Sequence, residues 1–391
     1  MKIILSWRRH HYVARASIFL ITVALIAGMV GCGGGGDGDG GEYYALTIAS
    51  TAGGSVTTPG DGPFTYDEGT VVNLVATPNA CCHFVNWTGD VSTIANVGAA
   101  TTTIIMNGDY DITANFEGEA VTFADPNLEA AVREAIAMPG GPIYPSDLDG
   151  LTLLDAMAKN IIDLAGLECA TSLITLLLAD NQISDISPLA NLTSLTELTF
   201  ADNQISDISP LASLTNLTVL ELNSNQISDI SPLASLTNLT EWLGLGNNQI
   251  SDISPLANLT SLTGLALSIN QISDISPLAN LTNLTEFLTL NGNQISDISP
   301  LASLTNLTEL GLEWNQISDI SSLANLTNLT QVWLRANQIS DIEPLVNNPG
   351  LSEGDTVYLT ANPLSHTSIN TYIPQLEARG VIVSYIPPPP S

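Results

Sequence analysis

The residues of this sequence that could carry chemistry are few, and their spacing argues against catalysis. Beyond the first 31 positions the histidines are His83 and His366 alone. Two histidines so far apart leave no set for a histidine-based metal site or for a nucleophile–histidine–acid triad. For His366, surface hydrogen bonding is the expected role. Cys81, Cys82 and Cys169 are too few for a disulfide framework and lack the spacing of a zinc site. Cys81 and Cys82 are neighbours, which would strain a mutual bridge, so these cysteines are expected to serve as small buried hydrophobes. The run Gly33 to Gly41 is no phosphate loop, since no strand precedes it and no helix follows. Asp37-Gly38-Asp39-Gly40-Gly41-Glu42 lacks the twelve-residue calcium-loop pattern. A column of aspartates recurs at 185, 207, 229, 252, 274, 297, 319 and 341. It could collect cations weakly, but turn capping and solubility account for it better. No catalytic residue, metal or cofactor is expected. What remains is the chemistry of contact: Trp242, Phe287, Glu309, Glu313, Trp314, Trp333 and Arg335 stand in a stretch rich in Leu, Ile, Asn, Ser and Thr. Aromatics beside a lone arginine are the composition of an interface hot spot.

Charge narrows the partner. Eight Lys and Arg face 39 Asp and Glu in 391 residues, a formal net of -31, and Lys2, Arg8, Arg9 and Arg15 all stand at the start. Such a surface has no footprint for nucleic acid and is repelled by anionic lipid heads. Cationic partners remain open to it. Arg8, Arg9 and Arg15 precede an apolar run, Ala16 to Gly31, of signal-peptide length and short for a spanning helix. The run ends in Met29-Val30-Gly31-Cys32, which resembles a bacterial lipobox with Met29 where Leu is usual. That resemblance implies a lipoprotein signal peptide over 1–31 and lipidation of Cys32. Residues 32–42 then form a glycine-rich tether. The expected location is the bacterial cell envelope, exported and lipid-anchored, with the membrane touched through the anchor alone.

The elements that must position the contact residues are repeats. Asn-Gln-Ile-Ser occurs eight times, starting at 181, 203, 225, 248, 270, 293, 315 and 337, with spacings of 22 or 23 residues. One unit reads LTELTFADNQISDISPLANLT and contains LxxLxLxxN. Leu195, Leu198 and Phe200 alternate to one side, and Ile205, Ile208, Leu211 and Leu214 continue the apolar set. A single unit cannot bury them, whereas stacked units share a continuous core. At about 1.5–3 kcal/mol per buried Leu or Ile, seven per turn offset much of the ordering entropy. The template Asn offers two donors and an acceptor where the chain leaves the strand. Pro188, Pro210, Pro232, Pro255, Pro277 and Pro300 open short helical or 3₁₀ turns, and Ser322 takes this place in one repeat. These units are leucine-rich repeats and closely resemble the internalin-type repeats of bacterial surface proteins. The resemblance implies an α/β leucine-rich-repeat solenoid over 161–350.

Caps are expected at both ends of the array. Over 121–160, Asp125-Pro126 signals a helix start, and Leu128, Ala131, Val132, Ala135 and Ile136 share one face. The segment resembles the helical N-terminal cap of related bacterial proteins. Residues 351–386 predict a last strand, a helix around 368–379 and a closing strand, followed by a Pro-rich tail at 387–391. Residues 43–118 alternate with period two between Gly, Pro and Asn-Gly turns. The order GGSVTTPG, YDEGTVV, HFVNW, NGD and ANF resembles the small β-repeat module related to internalin B repeats. That likeness implies a compact, grasp-like β-rich unit with Phe84 and Trp87 in its core.

In a leucine-rich repeat the residues between the strand leucines face the concave surface. Aligned on the template Asn, this rule brings Trp242, Phe287, Glu309, Glu313, Trp314, Trp333 and Arg335 there, with all three tryptophans exposed. The function read from the sequence is therefore protein or cell-surface ligand binding, or adhesion, by a monomer that is not an enzyme. A structural envelope protein is the alternative, favoured by the near-identical NQISDISPLA units. An enzyme accessory subunit ranks last.

Overall fold

A computed structural model describes residues 42–386. The expected signal peptide over 1–31, Cys32, nearly all of the expected tether and the tail at 387–391 lie outside the described residues.

The first unit is built of strands alone: β1 (Tyr43–Ser50), β2 (Gly54–Thr58), β3 (Gly62–Asp67), β4 (Val71–Pro78), β5 (Cys82–Gly89), β6 (Thr101–Ile105) and β7 (Tyr110–Gly118). They form a four-stranded sheet in the order β3-β1-β7-β5 and a three-stranded sheet in the order β2-β4-β6. Period-two alternation turns Leu46, Ile48, Leu74, Ile104, Ile112 and Ala114 inward to a shared core. Trp87 is fully enclosed there and donates its indole N–H to the Ala99 carbonyl at 3.1 Å. Phe84 packs against this core, 5.7 Å from Trp87 and 5.8 Å from Phe116 between ring centroids.

The repeats each give one three-residue strand, and these stack in parallel and in sequence order from β8 (Leu153–Asp155) to β18 (Ile382–Ser384), an eleven-stranded sheet. Between these ends lie β9 (Thr175–Leu177), β10 (Glu197–Thr199), β11 (Val219–Glu221), β12 (Trp242–Gly244), β13 (Gly264–Ala266), β14 (Phe287–Thr289), β15 (Glu309–Gly311), β16 (Gln331–Trp333) and β17 (Thr356–Tyr358). The middle residue of each inner strand points into one continuous core with the Ile and Leu of the turns, as at Leu198, Phe200, Ile205, Ile208, Leu211 and Leu214. Two units run to 23 residues, and the extra residue is absorbed just ahead of the strand. Thr240 and Glu241 both donate to the Thr218 carbonyl, after which Val219 pairs with Trp242 in register.

The interior of this core holds one polar ladder. Asn203 accepts the Ile183 N–H at 2.9 Å and donates to the carbonyls of Leu178 and Phe200 at 2.9 and 3.1 Å. The pattern recurs down the array and reaches Asn362. Outside the core, each aspartate of the recurring column accepts the N–H two residues on, at 2.8 Å in the case of Asp229 and Ser231. The N–H and hydroxyl of the following serine hold the carboxyls of Asp207, Asp252 and Asp297 below their usual range. Turn capping thus gives the column its geometry.

Proline opens most of the 3₁₀ turns on the return leg, as in Ser209–Ser213. Ser322 stands in the same place, forms the same turn, and buries a hydroxyl with no hydrogen-bond partner. Ser322→Pro removes that orphan and narrows the unfolded ensemble. It is expected to raise the unfolding free energy by about 1 kcal/mol, read as a higher urea midpoint at constant m-value.

Helix α1 (Pro126–Ala135) begins at Asp125, whose carboxylate accepts from Asn127, Leu128 and Ile162. Burial pushes this carboxyl up, but the backbone N–H groups outweigh it and hold it below its usual value. Leu128, Ala131 and Val132 enter the array's core. A short helix α2 (Pro145–Leu148) follows, and at the far end come α3 (Glu343–Asn347), a π-helical turn (Ser368–Tyr372) and α4 (Ile373–Ala378). No helix among the described residues is long and apolar enough to cross a membrane.

The cysteines require a correction. Cys81 and Cys169 are joined in a disulfide, while Cys82 is a free thiol, half-buried. The β unit and the array meet closely at this point: a Cβ on Gly118 would stand 2.7 Å from Pro145. The turn at Cys81, with φ of 61°, presents its sulfur to the 3₁₀ turn that carries Cys169. Two hollows flank the bridge, one reaching Gly53, Phe116, Tyr144 and Asp149 and the other Glu119, Thr122 and Glu168. The Cys82 thiol is raised by burial and by Asp149.

Candidate binding surface

Side chains from the first and third positions of each strand stand on the face away from the core, because successive strand residues alternate. The two positions before the template Asn extend that face. The second of these adopts a left-handed backbone in repeat after repeat: Asp180, Asp202, Ser224, Asn247, Ile269, Trp314, Ala336 and Ala361 all have φ between 53° and 60°, and Gly292 has 67°. Asn, Asp and Gly tolerate this conformation, whereas bulky residues bear about 1–2 kcal/mol of strain there. Ile269 and Trp314 are the bulky exceptions, and both are more than half exposed, at 55% and 58%.

Trp242, expected to be exposed, is on this face but buried, at 5% exposure. Its ring lies across Gly264, where a Cβ would approach within 2.8 Å, and meets Phe287 at 4.8 Å between centroids. Val219 and Ala266 complete this apolar cluster, and the indole N–H donates to Glu221 at 2.5 Å. Glycine on the neighbouring strand lets the ring lie flat instead of standing into solvent. Trp242 therefore packs the face rather than offering a contact, and Phe287 remains half-buried beside it.

The C-terminal half differs. Trp333 is half-buried and stacks on Tyr358 of the next strand, centroids 5.9 Å apart and planes within 2°. The Arg335 guanidinium lies 5.2 Å from the centroid of the Trp314 ring. Glu309 and Glu313 belong to the repeat of Trp314, whose strand lies between those of Phe287 and Trp333, and burial pushes both carboxyls above their usual range. For Glu313 the charge of Arg335 offsets part of that rise. Asn291 steadies the segment by accepting the Glu313 N–H at 2.8 Å, over Gly311, where a Cβ would be 2.9 Å away. The structure thus brings together Glu309, Glu313, Trp314, Trp333 and Arg335, and sets Trp242 with Phe287 in a separate, packed cluster. Tyr358 and Ile269 join the surface, Ile269 in a column that the repeat alignment already turns to this face and Tyr358 without having been singled out from the sequence. The signal was present for both: Tyr358 holds the third strand position of TVYLTAN, and Ile269 directly precedes a template Asn. Among the described residues no group of three or more His, Cys, Asp or Glu is placed to hold a metal ion.

Residues 44–120 match the family described as Divergent InlB B-repeat domain, and 171–213, 215–258, 260–303 and 305–347 match Leucine Rich repeats (2 copies). The crystal structure of an internalin C2 from Listeria monocytogenes is 47% identical over 54% of this chain and 94% of its own, with a TM-score of 0.53. An internalin (inlF) from the same organism is 35% identical over 68% of this chain and 91% of its own, with a TM-score of 0.47. A leucine-rich-repeat protein of Leptospira interrogans, 24% identical over 61% of this chain and 62% of its own at a TM-score of 0.54, shares the fold. Among curated proteins none matches the chain.

Proposed function

The chain belongs to the internalin-type leucine-rich-repeat proteins, and on that footing we propose that it is an exported, lipid-tethered cell-envelope protein that binds a protein partner. Binding is assigned to the C-terminal half of the concave face, with the β-repeat module as spacer and no catalysis by either unit. The observation that carries this reading is the pair of aromatic contacts on an otherwise regular repeat, Trp333 against Tyr358 and Arg335 over Trp314. Neither is needed by the core, which is filled by Leu and Ile. Anchors of this type, amphipathic and low in conformational entropy, dominate interface energetics. The spacer reading without a ligand draws on the near-identity of the repeats. That identity ends in the concave columns, where glycine floors and aromatic rings replace it. Lipid anchoring at Cys32 is supported by the order of basic residues, apolar run, small residues and cysteine. A net charge of -31 opposes association of copies and supports a monomer.

The test is Trp314→Ala with Trp333→Ala in the full chain, titrated against a partner captured by wild type. Alanine already stands at the Trp314 position in the repeats of Ala336 and Ala361, so the backbone accepts it. The expected loss is about 2 kcal/mol or more, near thirtyfold in Kd, with the thermal midpoint nearly retained. Unchanged affinity sinks the proposal.

A further inference from the structure

We infer that Ile269, Gly292 and Trp314 form a notch that receives one aliphatic or aromatic side chain from a basic protein segment, an inference that rests on the concave-face reading above. These residues occupy the same left-handed position on three consecutive repeats. Their backbone amides continue the parallel ladder, donating to the carbonyls of Asn291, Glu313 and Arg335. Neighbouring strands lie about 4.8 Å apart, so the two large side chains rise about 10 Å apart over a glycine, which leaves the width of one side chain between them. A Cβ on Gly292 would find Ile269 as its nearest neighbour, no closer than 3.5 Å, so the floor of the notch is open. Ile269 and Trp314 are both more than half exposed at a position where small or polar residues sit elsewhere in the array. Two exposed apolar walls with an empty floor are suited to a single inserted apolar group.

The charge around the notch specifies the rest of the occupant. Glu313 directly precedes Trp314 in sequence, Glu309 opens the same strand segment, and Arg335 is the only Lys or Arg in 161–350. Among the described residues outside the array, Arg133 pairs with Glu129, Lys159 with Glu134, and Arg379 donates to the carbonyls of Asn348 and Val346. The partner therefore meets a field of carboxylates. A second copy of this chain carries the same -31 and is repelled, as is an anionic surface. A segment with Lys or Arg close to a Leu, Ile, Met or Phe fits both the walls and the field.

The probe is a phage-displayed random peptide library selected on the immobilised full chain. Synthetic copies of the enriched peptides are then titrated against wild type, Gly292→Asn, Trp314→Ala and Trp333→Ala. Asn fills the notch without disturbing the backbone, because Asn247 already holds this position with φ of 53°. The expected result is enrichment of Lys or Arg beside an apolar residue, affinity that falls with added salt, and at least tenfold weaker binding to both Gly292→Asn and Trp314→Ala. Acidic or uncharged peptides, or binding indifferent to Gly292→Asn yet lost in Trp333→Ala, overturn the notch and leave the concave-face reading standing. Binding indifferent to all three substitutions overturns both, and a library that yields no binder overturns the notch as a peptide-reading site.

Discussion

Asn270→Ala is expected to lower the unfolding free energy by about 2–4 kcal/mol, a large effect for a single polar side chain. Asn270 is 9% exposed and makes its contacts inside the core. Its carboxamide oxygen accepts the Ile250 N–H at 3.0 Å, and its amide nitrogen donates to the carbonyls of Leu245 and Leu267 at 3.0 and 3.1 Å. Alanine leaves the Ile250 N–H without this partner where water is excluded, while the carbonyls of Leu245 and Leu267 each lose one donor and keep another, from Asn248 and Asn293. The orphaned N–H costs about 1–3 kcal/mol and each of the two lost carbonyl bonds about 0.5–1.5 kcal/mol, which together outweigh the side-chain entropy that Asn gives up on folding. Because each Asn joins its own repeat to the one before, the loss falls on the coupling between units that makes a solenoid cooperative. Asn270→Asp separates hydrogen bonding from size. A carboxylate keeps the acceptor but faces two carbonyl oxygens with no proton to donate. Burial raises the folded pKa of such a group above its unfolded value, so its cost is full at neutral pH and is relieved as pH falls through the folded pKa. Urea unfolding of the aspartate variant should accordingly show a deficit at neutral pH that shrinks on acidification, while the alanine deficit does not. Equal behaviour of the two variants with pH would remove the hydrogen-bond explanation.

The second large effect concerns the junction. The Cys81–Cys169 bridge closes a loop with a sequence separation of 88, spanning the end of the β unit and the start of the array. Loop closure of this length stabilises by about 4–5 kcal/mol through the unfolded ensemble. Cys81→Ser with Cys169→Ser is expected to lose most of that, and the β unit should then unfold in a transition separate from the array. Changing both cysteines leaves Cys82 as the single thiol among the described residues and prevents it from exchanging into the bridge. Wild type treated with reductant should fall to the level of the double variant, and the variant itself should not respond to reductant. Coincident unfolding of wild type and variant without reductant would show that the bridge holds nothing that packing does not already hold.

These two features mark what could and could not be read in the sequence. The ladder was legible because it repeats: a template Asn every 22 or 23 residues, flanked by alternating leucines, fixes strand, turn and core together. The 23-residue units were also legible once aligned on that Asn, since Trp242 falls opposite Val219 as the alignment requires. The bridge was not. Its cysteines belong to units of different periodicity, and their meeting depends on how Gly118 approaches Pro145, a contact with no local sequence signal. The burial of Trp242 was hidden for a related reason. Its face could be read from its own repeat, but its enclosure depends on Gly264 and Phe287 in the two repeats that follow. The left-handed position before each template Asn lies between these cases. Asp, Ser, Asn and Gly at that position announce it, and only against that background do Ile269 and Trp314 stand out as residues placed for contact.

The proposed function places a partner on the C-terminal half of the concave face. Oxidative footprinting of the full chain with and without a captured partner tests it most directly, because aromatic side chains report their own solvent access. The partner is expected to shield Trp314, Trp333 and Tyr358, while Trp87, already enclosed in the β unit, is unchanged and Tyr43, 70% exposed on the first strand of that unit, stays reactive. Shielding confined to the β unit or to the convex turns, with Trp314 and Trp333 as reactive as in the free chain, would contradict it.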